Sequence, residues 1–184
     1  MSDFIPPYDS RTVREWVSFT REYSVQWQSV FNGAARLSGR RRNVDQATYW
    51  IGLDIPQGRE LVVWADALKL SENEYDIDIY DAPDGFTGGT NGVKRCLCGA
   101  TGTVQTNVVF GVTPENESTH AIRLEDFVDT GLVQGPGRPS VAPLVDGAFQ
   151  VLTTPTLMRI TRQGAGQSYT LSYRVIAWER DANA

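Results

Sequence analysis

Apolar and polar side chains alternate along most of the chain, which is the pattern of β-strands with one buried face. The alternation is clearest at Tyr23, Val25 and Trp27 and again from residue 75 to residue 80. Further strands are predicted at residues 47–54, 60–70, 92–98, 105–112 and 119–124. No segment after residue 20 keeps a helical period. The sequence therefore predicts an all-β fold.

Two clear strands close the chain, Thr156–Arg162 and Gln167–Glu179. The short connection Gln163-Gly164-Ala165-Gly166 between them predicts a β-hairpin. Strands bounded by turn residues at this density are typical of a β-sandwich, and a jelly-roll-like sandwich is expected over residues 23–184 as a single domain. The tryptophans and tyrosines of these strands are expected to fill the space between the sheets.

The first 22 residues are predicted to form an extended N-terminal arm or a short helix. Pro6 and Pro7 favour an extended start. From Ser10 to Phe19 the apolar residues fit a helical spacing and also a two-residue spacing, so the pattern leaves both structures open.

A loop is predicted at residues 32–43, where Gly33 and Gly39 punctuate a polar stretch. It contains Arg40-Arg41-Arg42, the one basic cluster of the chain. The surrounding sequence shows no basic stripe and no aromatic platform for nucleic acid. The simple interpretation is a solvated loop, and the functional one is contact with a neighbouring protein subunit. Residues 130–147 are rich in glycine and proline and predict a second loop.

Length and charge narrow the class of protein. A chain of 184 residues can bury its own core as one domain. The net charge of -5 argues against general affinity for nucleic acid or an anionic membrane. The start of the chain lacks the features of a secretory signal, and no apolar stretch is long enough to span a bilayer. Cys96 and Cys98 are expected to be half-buried thiols of a protein made in a reducing cytoplasm.

Candidate chemistry is sparse, so no enzymatic activity and no cofactor are predicted. The only histidine, His120, has no accompanying nucleophile motif. The acidic run at residues 76, 78, 81 and 84 could collect calcium, but Asp76 and Asp78 fit the solvated face of a strand, and Asp81 is an ordinary turn former. No metal site is therefore predicted. The glycines of residues 88–92 lack the ending of a phosphate-binding loop and predict a turn.

Residues 47–179 resemble β-rich structural proteins of tailed-phage particles. Three parts carry the resemblance: Tyr49–Pro56 followed by Glu60–Trp64, Tyr75–Pro83 followed by Gly88-Gly89-Thr90, and the closing Leu157–Arg162 with Tyr169–Glu179. The resemblance implies a virion protein with a sandwich or jelly-roll domain, no active site and an oligomeric state, with a trimer favoured. It is expected to be made in the host cytoplasm and to sit on the capsid surface as a decoration, or cement, protein.

The expected partners are the major capsid protein and further copies of the chain, with neither nucleic acid nor membrane among them. The arm is expected to order on a neighbouring subunit. The predicted interface residues are Phe4, Ile5, Tyr8, Trp16, Arg40, Arg41 and Arg42. Two alternatives stay open: a carbohydrate- or receptor-binding β-sandwich module, and a structural protein of the tail, neck or collar.

Overall fold

A computed structural model describes residues 33–71, 74–97, 104–117, 121–129, 140–141, 143–144, 150–163 and 168–182. The predicted arm and the predicted strand around Val25 lie outside these residues. So do the proposed interface residues of the arm, Phe4, Ile5, Tyr8 and Trp16.

The described residues form strands and no α-helix. In chain order the strands are β1 (Ala35–Val44), β2 (Thr48–Asp54), β3 (Arg59–Leu70), β4 (Glu74–Asp81), β5 (Phe86–Thr87), β6 (Thr90–Asn91), β7 (Val93–Cys96), β8 (Asn107–Phe110), β9 (Thr113–Pro114), β10 (Ala121–Asp129), β11 (Ser140–Val141), β12 (Gln150–Leu152), β13 (Thr156–Arg162) and β14 (Tyr169–Asp181). Sheet A has the order β11-β3-β14-β1-β7, with β12 also paired to β3. Sheet B has the order β10-β4-β13-β2-β8-β6, and β5 and β9 form a separate ribbon.

The strand pairing is that of a jelly roll, in which a long antiparallel hairpin wraps so that its strand pairs alternate between two sheets. In sheet A, β1 pairs with β14 and β3 pairs with β12. In sheet B, β2 pairs with β13 and β4 pairs with β10. The segment between β4 and β10 adds β7 to the free edge of β1 and β8 to the free edge of β2. The prediction of an all-β, jelly-roll-like sandwich is confirmed.

Alternate residues of the strands of both sheets point inward and form one apolar core. In β4, for example, Tyr75, Ile77 and Ile79 are fully buried between polar neighbours. Tyr49, Tyr75, Tyr169 and Tyr173 belong to this core, as the alternation predicted for tyrosine. Burying an apolar side chain of this size stabilises the fold by about 1.5–3 kcal/mol, so the inward rows account for the packing of the two sheets.

The predicted loop at residues 32–43 is wrong, because residues 35–44 form β1. This strand is paired along one side to β14 and along the other to β7. Gly39 does not mark a turn. A Cβ atom at this position would lie 2.2 Å from the ring of Phe110, so the glycine marks a close approach between strand and core.

The predicted hairpin between the last two strands is also wrong. β13 lies in sheet B between β2 and β4, whereas β14 lies in sheet A between β1 and β3. The short connection therefore crosses from one sheet to the other. A short glycine-containing connection fits a hairpin and a sheet-crossing corner equally well, and only the partners available on both sides of each strand distinguish them.

The predicted loop at residues 130–147 contains the short strand β11, which pairs with Leu68 and Lys69 of β3. The prediction is therefore wrong at Ser140 and Val141. Most of the other residues of that range lie outside the described part of the chain.

Candidate functional site

The predicted basic cluster is divided between the two faces of β1, because neighbouring residues of a strand point to opposite sides. Arg41 points to the same side as Gly39. Its guanidinium lies 4.6 Å from the centre of the Phe110 ring, and its Nη2 donates a hydrogen bond to the Thr90 carbonyl at 3.2 Å. Arg40 is exposed on the outer face of sheet A. The three consecutive arginines therefore do not form one site, and Arg41 has a structural role.

The outer face of sheet A nevertheless collects cations from neighbouring strands. Its outward register pairs are Arg36 with Arg95, Ser38 with Arg174, Arg40 with Ser172, and Ser172 with Lys69. Paired residues have Cβ atoms about 5 Å apart, and successive residues on one face of a strand lie about 7 Å apart. The cations consequently share one patch. We call the patch formed by Arg36, Arg40, Lys69, Arg95 and Arg174 the basic face.

Small neutral residues separate the cations of the basic face. Ser38, Ala67 and Ser172 line an open groove of about 400 Å³. The same groove is bordered by Arg40, Lys69 and Arg174. All residues of the basic face except the half-buried Arg36 are exposed. The short side chains between them leave the guanidinium and ammonium groups accessible to an anionic partner.

Within the described part of the chain, no acidic side chain forms an ion pair with the basic face. The ion pairs found there involve Arg59, Arg159 and Arg180 instead. Arginine and lysine side chains without a carboxylate partner keep their donors available for carboxylate or phosphate groups. The basic face is therefore the best-formed candidate for recognition of an anionic surface.

The outer face of sheet B has the opposite character. Glu74, Asp76 and Asp78 alternate with the buried residues of β4 and therefore point away from the core. Asp78 is neutralised by Arg159, whose Nη2 lies 2.8 Å and whose Nε lies 2.9 Å from the Asp78 carboxylate. Glu74 is exposed, and Asp76 is half-buried. Around β4, the described residues of this outer face thus carry a charge opposite to that of the basic face.

Arg159 is held in place by Asp78 and by two aromatic rings. Its guanidinium lies 5.7 Å from the centre of the Trp50 ring and 5.2 Å from that of Tyr80. Burial disfavours its charged form, but the hydrogen bond to Asp78 and the nearby carboxylates outweigh burial, so the pKa of Arg159 is raised. The side chain covers the aromatic rings on this face.

The acidic run of β4 and the following turn does not gather into a metal site. Asp76 accepts a hydrogen bond from Gln163, and Asp78 is bonded to Arg159. Asp84 accepts a hydrogen bond from Asn116 at 3.3 Å. The described residues contain no group of three or more histidine, cysteine, aspartate or glutamate side chains arranged to hold a metal.

The prediction that tryptophans fill the core between the sheets is wrong for the tryptophans that the structure describes. Trp50 packs on the outer side of sheet B against a cluster that contains Tyr80 and Leu157. Trp178 and Trp64 pack with Val62 and Ala34 in a separate cluster, on the outer side of sheet A. No tryptophan or tyrosine among the described residues is exposed.

A buried carboxylate ties β14 to the start of the segment that leads into β8. The Glu179 side chain is fully buried and accepts hydrogen bonds from the backbone N–H groups of Gln105 and Thr106. Lys94 Nζ donates to the carbonyls of Val104 and Gln105, each at 2.9 Å. Burial lowers the pKa of Lys94, and the Glu179 charge opposes that effect. This network fastens β7 and β14 to the segment before β8.

The remaining residues singled out by sequence add no site. Cys96 is exposed, so the expectation of a half-buried thiol is wrong there, and Cys98 and His120 lie outside the described residues. Gly88 and Gly89 have φ angles of 70° and 83° and form the predicted turn between β5 and β6.

Sequence reasoning missed the basic face because it placed Arg40 in a loop. The available signal was the alternation of Arg36, Ser38 and Arg40 with Leu37 and Gly39, which is the pattern of a strand with a basic outer face. The other cations come from positions far along the chain. The sequence around the cluster therefore shows no basic stripe, and the strand pairing supplies the neighbouring cations.

No protein-family model, no curated protein and no solved structure matches this chain. In the residues that the structure describes, no helix is long and apolar enough to cross a bilayer.

Proposed function

We propose that the chain is a non-enzymatic structural protein of a tailed-phage particle, of the capsid decoration type, and that it docks on an acidic protein surface through the basic face. The observation that carries the proposal is the set of exposed cations on one sheet with no acidic partner in the described structure. Isolated surface cations are common, but a row assembled from separate strands on a rigid sheet presents fixed spacing to a partner.

The setting in a virion comes from the sequence resemblance, and the fold is compatible with it. Jelly rolls occur in viral capsid proteins and also in lectins. Because one fold serves many functions, the choice between these roles depends on the surfaces. In the proposed role the protein is made in the host cytoplasm and binds the major capsid protein and its own copies on the capsid surface. A position in the tail, neck or collar would use the same kind of contact.

A protein partner is favoured over nucleic acid for two reasons. The chain as a whole has a net charge of -5, so a polyanion is repelled at long range. Binding of single strands also relies on aromatic side chains that stack on bases. No tryptophan or tyrosine of the described part is exposed beside the basic face.

The carbohydrate-binding alternative has less support. Sugar recognition by a sandwich uses exposed aromatic rings in a groove. Tyr75, Tyr169 and Tyr173 are buried in the core, and Trp50 and Tyr80 are covered by Arg159. The groove on sheet A is lined by small residues, Val93 and cations, and its one aromatic lining residue, Tyr173, is buried.

The direct test is binding to phage particles that lack this chain, prepared from a deletion of its gene. The purified wild-type protein is expected to co-sediment with them at low ionic strength. The double variant Arg40→Glu, Arg174→Glu is expected to bind at least about tenfold more weakly, because both changes reverse the charge that faces the partner. Equal binding by the double variant, or no binding by the wild type, would contradict the proposal.

Arg180→Glu is the control for charge reversal outside the basic face, and it changes the net charge half as much as the double variant does. Arg180 lies on β14, as Arg174 does, and is exposed. Its Nε is already bonded to Glu60 at 2.6 Å. Its reversal should leave particle binding within about twofold of wild type, because an exposed ion pair contributes little. A loss as large as that of the double variant would mean that net charge, and not the basic face, controls binding.

A further inference from the structure

We infer that the acidic surface bound by the basic face is supplied by a second copy of this chain, at the outer face of sheet B around Glu74 and Asp76. The inference rests on the proposed function as an assembly protein and names one of its partners. Both halves of the contact are present in one molecule, on opposite sides of the sandwich.

The charge distribution favours this pairing. The chain contains 17 lysines and arginines and 22 acidic residues. The cations of the basic face are taken from the smaller set, so the rest of the molecule is strongly acidic. On the outer side of β4, no cation among the described residues forms an ion pair with Glu74 or Asp76, and Asp76 accepts a hydrogen bond from the neutral amide of Gln163. A copy that approaches with its basic face meets carboxylates without having to displace a cation.

The same charges determine the symmetry of the contact. A two-fold contact through the basic face would bring like charges together, which is unfavourable. The contact must therefore be heterologous, with the basic face of one copy on sheet B of the next. Such contacts form a closed ring when the rotation between copies closes and an open stack when it does not.

The size of the basic face indicates that the contact is weak in solution. Strands about 4.8 Å apart and residues about 3.3 Å apart give a patch on the order of 300 Å². Stable interfaces bury about 800 Å² on each partner. Association is therefore expected to be salt-sensitive and detectable at high protein concentration, and to become effective on a particle, where many copies are held side by side.

The first experiment is sedimentation equilibrium of the full chain at about 50 mM and about 500 mM salt, since screening at the higher value reduces interactions beyond a few ångströms. The apparent association constant is expected to fall at least about tenfold with salt. Two double variants are expected to be monomeric. One carries Arg40→Glu and Arg174→Glu, and the other carries Glu74→Lys and Asp76→Lys. An equimolar mixture of the two variants is expected to associate again, because each supplies the charge that the other lacks.

The matched control separates the acidic face from net charge. Two variants raise the net charge equally: the double variant Glu74→Gln, Asp76→Asn and the single variant Asp45→Lys. Asp45 is exposed in the connection between β1 and β2. The double variant should weaken association, whereas Asp45→Lys should not. Circular dichroism on every variant checks that the substitutions leave the sandwich folded.

The second experiment locates the contact. A carbodiimide joins lysine to a carboxylate that touches it, and Lys69 is the lysine of the basic face. In a mixture of unlabelled and ¹⁵N-labelled protein, mass spectrometry is expected to find Lys69 joined to Glu74 or Asp76 of a differently labelled copy. That product should disappear at high salt.

Three results would overturn the inference: a monomer at every salt and protein concentration, association that survives the change at Glu74 and Asp76, or Lys69 cross-linked to other sites only. Binding of the wild type to particles without self-association would keep the proposed function and remove this inference. Self-association without particle binding would do the reverse.

Discussion

At the scale of single residues, Gly39 shows how a missing side chain can be part of the packing. The Phe110 ring occupies the space where a Cβ of residue 39 would stand, and Arg41 covers the same ring at 4.6 Å. The ring is almost fully buried, so it has little room to move away. The contact fastens β1 of sheet A to β8 of sheet B.

Gly39→Ala is expected to lower the free energy of unfolding by about 1–3 kcal/mol, because an extra methyl group would overlap a buried ring. Urea unfolding followed by tryptophan fluorescence measures the change. Ser38→Ala, which alters the neighbouring outward position, should have little effect. Phe110→Leu replaces the ring with a smaller side chain, so Gly39→Ala should lower the free energy of unfolding less in the double variant than in the wild type. If the two losses of unfolding free energy simply add, the contact between residues 39 and 110 is contradicted.

At the scale of elements, Glu179 joins three parts of the chain that are distant in sequence. It lies on β14, accepts from the amides of Gln105 and Thr106, and lies 3.5 Å from Arg59 Nε of β3. A fully buried carboxylate is costly unless its oxygens receive donors, and here both do. The network therefore specifies where the segment before β8 sits against sheet A.

Glu179→Gln is expected to destabilise the protein by about 1–3 kcal/mol, because the amide group can accept through one oxygen only and leaves a buried donor unsatisfied. Amide hydrogen exchange should become faster at Gln105 and Thr106 in particular. Asp181→Asn is the control, since Asp181 is an exposed partner of Arg59 and should matter little. Unchanged exchange at the two amides would show that Glu179 does not hold them.

At the scale of the whole molecule, the core is rich in buried phenols. Burial raises the pKa of Tyr49, Tyr169 and Tyr173 above the ordinary value for tyrosine. The nearby Asp66 carboxylate raises the pKa of Tyr173 further. The folded state therefore holds these protons more tightly than the unfolded state does. Their contribution to stability is complete below the unfolded pKa and is lost as pH rises toward the folded values.

Stability is accordingly expected to be constant from about pH 8 to pH 9 and to fall above about pH 10, where tyrosine ionises in the unfolded chain. Urea midpoints measured across this range provide the test, and absorbance at about 295 nm reports phenolate formation. The buried tyrosines should ionise together with unfolding. A folded protein in which all described tyrosines titrate near their ordinary pKa would refute the expectation.

The fold was predictable where one face of a strand is buried and the other is wet. β4 is the clearest case, because Tyr75, Ile77 and Ile79 alternate with carboxylates. β1 was not predictable by the same rule, because its inward row contains Gly39 and Arg41, which are residue types typical of loops. Both contact the Phe110 ring, and that contact depends on the tertiary structure. The partners of β13 and β14 were likewise hidden, because a strand pattern does not specify which neighbour it pairs with.

The sequence by itself determined the all-β class and most of the inward positions, because alternation is a local property with a period of two residues. Tertiary structure alone decided that β1 lies between β14 and β7 and that Arg36, Arg40, Lys69, Arg95 and Arg174 share a surface. Those residues come from four strands that are far apart in the chain. Their proximity follows from the jelly-roll register, and a local pattern carries no information about register between distant strands.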